Sequence, residues 1–184
     1  MRDDAPQLPD ESLASRWRHR GSYFSWAPRE PAIAPLEIFH VESGDDSAQV
    51  LLLVPGFPTC GLDWSGVTGL LQERFRVCTL DFPGYGFSDK PKGWGYSFGR
   101  DAELLDFYVR DVVGAESIVV MAHDRGSSVA LNYVLPQQAR IRDGAATHVE
   151  HPALTNANLY LALSGLTEFQ RRLLDPRREI ARTA

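Results

Sequence analysis

Apolar residues along this chain fall into short runs whose period switches between that of a strand and that of a helix. Leu36 to Val41 alternates apolar and polar positions, the pattern of a half-buried strand. After the turn Glu42-Ser43-Gly44-Asp45-Asp46, Val50 to Val54 is continuously apolar and stops at Pro55-Gly56, as a strand buried on both faces does. Trp64 to Glu73 carries Trp64, Val67, Leu70 and Leu71 at helical spacing. Phe75 to Leu80 returns to a strand and leads into the glycine-rich turn Asp81 to Pro91. Ala102 to Val113 is an amphipathic helix with Leu104, Leu105, Tyr108, Val109 and Val112 on one side. Ile118 to Ala122 is a strand and Ser127 to Val134 a helix that Pro136 ends or kinks. Thr147 to Leu154 has a fainter strand pattern, and Leu166 to Leu174 is a final helix before Asp175-Pro176. Residues 1 to about 30 are polar and proline-bearing, with aromatics at Trp17, Tyr23, Phe24 and Trp26. They are expected to form an extended N-terminal arm with packing anchors, followed by a core domain over 31–184.

Strands alternating with helices imply βαβ units and a mostly parallel sheet, so the fold class is α/β. In such sheets ligands bind at the carboxyl ends of the strands. Three loops lie at such ends: 55–61, 81–91 and the turn after Ala122. At 184 residues the chain can bury one sizeable core, and 43% hydrophobic with 23% charged residues suits a globular domain. The net charge of −5 supplies no basic footprint for nucleic acid. Cys60 and Cys78 make neither a disulfide framework nor a metal pair, so a reducing, cytoplasmic setting is expected. Met1 to Pro6 has no apolar signal core, and the runs Val50 to Val54 and Ile118 to Ala122 are too short to cross a membrane. No cofactor or metal is expected.

Candidate chemistry is concentrated in Ala122-His123-Asp124-Arg125-Gly126. A tight strand-to-helix turn holds its central side chain exposed above the sheet, and needs small residues two positions to either side. Ala122 and Gly126 occupy those positions around Asp124. The N–H groups at the start of the following helix favour a carboxylate. An aspartate has an ordinary pKa of about 3.9 and needs no partner base to become a nucleophile. Its attack on carbon leaves an ester, whose hydrolysis requires a general base and an oxyanion hole. The backbone N–H groups of Arg125 and Phe57 are the candidate donors. A plain helix cap is the competing reading of Asp124, and the strand before it together with the two upstream loops weighs against that.

Three motifs resemble the α/β-hydrolase superfamily in its epoxide hydrolase and dehalogenase branch. Gly56-Phe57-Pro58 resembles the His-Gly-Phe-Pro oxyanion loop, with Pro55 where the family usually has histidine. The run Asp81-Phe82-Pro83-Gly84-Tyr85-Gly86-Phe87-Ser88-Asp89-Lys90-Pro91 resembles the Asp-x-x-Gly-x-Gly-x-Ser turn, and His123-Asp124-Arg125-Gly126 the aspartate elbow. The match runs from about 36 to 174. Asp63-Trp64 and Leu154 to Pro176 are also similar to mesoderm-specific-transcript-type homologues. The resemblance implies strands 1–6 of the hydrolase sheet, without the cap and last strands. It implies an Asp nucleophile acting through a covalent ester on a small molecule, an epoxide in an epoxide hydrolase-like reaction or, as the alternative, a halogenated compound in a haloacetate dehalogenase-like one. The order of the family places its acid and catalytic histidine after the point where this chain stops. An inactive fragment lacking both is therefore the non-enzyme alternative, and the uncovered edge at Thr147 to Leu154 is expected to favour self-association.

The remaining candidates carry two readings each. Arg125 is not the tryptophan that haloalkane dehalogenases place after the nucleophile. Haloacetate dehalogenases have arginine there to bind a substrate carboxylate, but their second arginine, three positions on, is Ser128 here. Arg125 is thus a substrate-binding candidate or one half of a structural salt bridge, and Trp64 is a further substrate-binding candidate. His148 and His151, three apart on a strand, read as edge residues and not as a metal pair. His123 is expected to point away from the substrate side and His40 to be structural. Tyr85, Trp94 and Tyr96 line a rim or pack, and Ser88 bonds its own turn.

Overall fold

The computed structural model describes residues 12–29, 34–141 and 147–156. Six strands form one sheet: β1 (Gly21–Trp26), β2 (Leu36–Ser43), β3 (Val50–Val54), β4 (Arg76–Leu80), β5 (Ser117–His123) and β6 (His148–Thr155), in the order β1-β2-β4-β3-β5-β6. β2 runs antiparallel to both β1 and β4, and the other pairs are parallel. Each parallel step is made by a crossover. α2 (Ser65–Leu71) links β3 to β4, α3 (Phe98–Phe107) links β4 to β5, and α4 (Arg125–Ile141) links β5 to β6. The register Leu53↔Met121, Val54↔Ala122 and His123↔Thr155 brings the carboxyl ends of β3, β5 and β6 to one edge. The expected α/β class and mostly parallel sheet are what the chain adopts.

β3 is buried along its whole length, and its two faces enter different clusters. Val50, Leu52 and Val54 join Cys78, Leu80, Ile118, Val120 and Ala122 beneath α3 and α4, packed on Leu104, Leu105, Tyr108, Val129 and Tyr133. Leu51 and Leu53 join Val77 on the side of α2, with Trp64, Leu71, Phe75, Val119 and Met121 only partly buried against them. No helix among the described residues is long and apolar enough to cross a membrane.

Three expectations change. The segment read as an extended arm contains α1 (Leu13–Arg20) and the edge strand β1. Ser12 caps α1 by accepting from Ser15 N–H at 3.0 Å, the basic last turn Arg18-His19-Arg20 suits the helix dipole, and Trp17 is buried against Phe39 and Val41. One apolar anchor among arginines hides so short a helix from a periodicity argument. Next, α4 runs through Pro136 to Ile141: the proline is exposed, while Val129, Ala130, Tyr133, Val134 and Gln137 bury the opposite face, so packing holds the helix past the lost hydrogen bond. Finally, α3 begins at Phe98, capped by Ser97 Oγ accepting from Arg100 N–H, and runs on into a π-helical segment, Tyr108–Val113, that closes at Gly114. The helix expected over Leu166 to Leu174 lies outside the described residues.

Candidate active site

β5 ends at His123 and α4 begins at Arg125, so Asp124 alone makes the turn between them. It does so at φ +52°, in the left-handed region. A non-glycine residue held there costs on the order of 1–3 kcal/mol and persists only where the surroundings fix it. Here they do. Asp124 N–H donates to Thr155 O at 3.0 Å, and Asp124 O accepts from Ser127 N–H at 3.0 Å. Thr155 Oγ1 and Ser127 Oγ add bonds to Ala122 O and Thr155 O, each at 3.2 Å. The end of β6 thus ties down the corner, a role for Thr155 that no sequence signal revealed.

Close approach explains the small residues around the corner. A Cβ on Gly126 would lie 2.4 Å from Pro55 O and 2.6 Å from Val54 O, both backbone atoms. One on Gly56 would lie 2.9 Å from Asp124 Cβ. This proximity brings the 55–61 loop against the carboxylate, and Phe57 N–H donates to Asp124 Oδ1 at 2.9 Å. The donor expected to face a reacting oxyanion therefore holds one oxygen of Asp124 itself.

The loops are fixed from behind by Asp81. Its buried carboxylate accepts from Gly61 N–H and Phe87 N–H, each at 2.8 Å. Burial pushes its pKa up to about 6, against the lowering effect of those two bonds. Gly86, at φ +48°, leaves room for the carboxylate: a Cβ there would lie 1.9 Å from Asp81 Oδ2. Ser88 Oγ donates to Asp81 O at 2.6 Å and accepts from Phe39 N–H at 2.8 Å, so Ser88 does bond its own turn and also pins it to β2.

Arg125 forms an ion pair with Asp101, from the first turn of α3. Burial is the first cause raising the Asp101 pKa, and the guanidinium opposes it. The Arg125 guanidinium also lies 5.9, 5.9 and 5.3 Å from the ring centres of Phe82, Tyr85 and Phe98. Of the two sequence readings, the geometry supports the salt bridge. The signal for Asp101 in the sequence is that Phe98, Asp101, Ala102 and Leu105 share one helix face, which places a carboxylate in an apolar stripe.

On the other flank a cavity of about 310 Å³ is lined by Pro55, Gly56, Asp63, Trp64, His123 and Thr155. Trp64 is therefore beside the corner, its Nε1 buried without a hydrogen-bond partner among the described residues. His123, expected to point away from the substrate side, lines this cavity on the flank opposite the Arg125 wall. The alternation of β5 sends it to the α2 side, where cover is thin. Asp63 accepts from Thr59 Oγ1. Tyr85 and Tyr96 continue a line of edge-to-face rings from Phe57, with centres 6.2 and 6.1 Å apart, whereas Trp94 is buried against Trp26. His40 is buried and bonded to Ser22 Oγ at 2.8 Å, and His148 and His151 are exposed on β6. Cys60 and Cys78 are free thiols, their pKa values pushed up by burial to about 11 and about 12.

Residues 49–177 match a family model described as alpha/beta hydrolase fold. The chain belongs to the α/β-hydrolase family. The mesoderm-specific transcript homolog protein of Bos taurus is 30% identical over 148 residues, covering 78% of this chain and 42% of that protein. A solved epoxide hydrolase of the superfamily, from metagenomes of hot environments, is 25% identical with a TM-score of 0.59, covering 74% of this chain and 42% of that one. A bacterial membrane phospholipase A is 28% identical with a TM-score of 0.60, covering 79% and 44%. This α/β-hydrolase chain spans less than half the length of these three proteins.

Proposed function

We propose that Asp124 is the nucleophile of an epoxide hydrolase-like reaction on a small molecule, passing through a covalent ester. The observation that carries this is the carboxylate itself: it stands at the strained corner with Oδ1 held by Phe57 N–H, which leaves Oδ2 to attack. In this reading Oδ2 attacks a ring carbon of the epoxide, the C–O bond breaks, the alkoxide takes a proton from solvent, and a hydroxyalkyl ester of Asp124 remains. Release would require water to add to the ester carbonyl while a general base takes its proton; none of the described residues is assigned that role, so the ester is expected to persist on this chain. The N–H groups of Phe57 and Arg125 would hold the oxyanion of that step, whose collapse would free Asp124 and a diol. An aspartate at the corner favours attack on saturated carbon over the serine-type acyl transfer that the same fold supports.

The full chain exposed to a reactive aryl epoxide should gain one adduct mass, mapped to Asp124 by peptide mass spectrometry and absent from Asp124→Ala. An adduct that survives D124A, or none under conditions that label a competent homologue, would end this reading. We also infer self-association through β6, which is the last strand of the sheet among the described residues and largely exposed. Sedimentation velocity giving a monomer at every concentration would exclude it.

A further inference from the structure

The chemistry proposed for Asp124 makes no use of the ion pair beside it. The Arg125 and Asp101 side chains are 14% and 1% exposed, so the pair leaves only a sliver of guanidinium and almost none of the carboxylate accessible. Rings crowd the same wall: Phe82, Tyr85 and Phe98 around the guanidinium, then Phe57 and Tyr96, with Phe57, Tyr96 and Phe98 exposed. An anionic substrate approaching Asp124 would need a cation to balance the nucleophile's own charge. Taking Arg125 for that purpose strands Asp101 as an unpaired buried ion, which is strongly disfavoured. With Asp101 present, the three charges at the corner leave one net negative.

We propose that Asp101 is a specificity-determining residue: by holding Arg125 it closes the site to carboxylate-bearing substrates and reserves the aromatic wall for neutral, apolar or aryl-bearing ones. This rests on Asp124 being the reacting group, but the binding of a carboxylate can be read without any reaction. The test uses the full chain as wild type, Asp101→Asn, Asp101→Glu and the double variant D101N/R125Q. The first measurement is a ¹⁹F NMR titration with trifluoroacetate, an unreactive carboxylate. Wild type and D101E should leave the line unchanged, D101N should broaden it, and the double variant should abolish the broadening. The second is the ratio of labelling rates at Asp124 for styrene oxide and bromoacetate. D101N should shift that ratio toward bromoacetate by about tenfold or more, the effect of one additional charge-assisted hydrogen bond to the reagent. Trifluoroacetate binding to wild type, or a D101N variant that melts cooperatively and shows neither change, overturns the proposal. If D101N does not fold, wild type and D101E still decide it, because carboxylate binding by either is fatal. Absence of any Asp124 adduct from both reagents would instead sink the nucleophile reading, while the titration still judges Asp101.

Discussion

β5 presents Ile118, Val120 and Ala122 to α3 and α4, and Val119 and Met121 to the side of α2. The first set is sealed in the main cluster, while the second is only partly buried. The helices differ in the same way. α3 and α4 pack on each other and on the sheet, whereas α2 is a short helix whose Leu70 is 72% exposed. Asp124 stands at the seam between the two flanks. Its sealed flank holds an ion pair among rings, and its open flank holds a cavity with Asp63, Trp64 and His123. Apolar packing therefore dominates one wall of the candidate site, while N–H bonds accepted by Asp81 tie the loop of the other wall to the turn after β4 and Thr155 ties the corner. The difference teaches where substitutions should hurt: volume changes on the α3/α4 side, polar changes on the loops.

The seam itself should be least tolerant. Gly126→Ala drives a Cβ into backbone oxygens of the neighbouring strand end, which cannot rotate away. A loss of about 3 kcal/mol or more in urea unfolding is expected. A loss under about 1 kcal/mol would mean that the corner relaxes and that the crowding is not what selects glycine. On the sealed flank Leu104→Ala should cost about 3 kcal/mol, while Met121→Ala, the same kind of truncation on the open flank, should cost about 1 kcal/mol or less. Equal losses in denaturant melts of the two variants would erase the contrast.

Legibility in the sequence follows the same division. Strands buried on both faces, such as Val50 to Val54, have continuous apolar runs that nothing else explains, and β3 falls on those residues. The corner was legible because its constraint is local: strand, small residue, aspartate, glycine. What escaped depends on long-range pairing. β1 alternates poorly on its own and exists because it pairs with β2 from Gly21↔Val41 to Trp26↔Leu36. Thr155 and Asp101 act on the corner from residues 31 and 23 positions away from Asp124, and no spacing rule links them to it. His123 shows a different limit. Alternation gives the face a side chain points to, but not whether that face is filled.

The smallest effect separates polar from apolar support most cleanly. Asp81 joins the start of the 3-10 turn Gly61–Trp64 to the turn after β4, and its carboxyl is pushed up to about 6 by burial. The unfolded carboxyl titrates near 3.8. Between these values the folded chain takes up a proton that the unfolded chain does not, so this group adds stability as pH falls through 6 and loses it as pH rises. Asp81→Asn has no such proton, and its amide can accept only one of the two N–H bonds. Wild type should therefore gain about 1 kcal/mol relative to D81N between pH 7 and pH 5, read from paired urea melts. Leu104→Ala, which removes only packing, should keep a constant gap to wild type over the same range. A D81N gap that stays flat would mean that the carboxyl ionises normally in the folded chain. The two N–H bonds would then offset burial in full, and the polar tie would be stronger than the raised pKa implies.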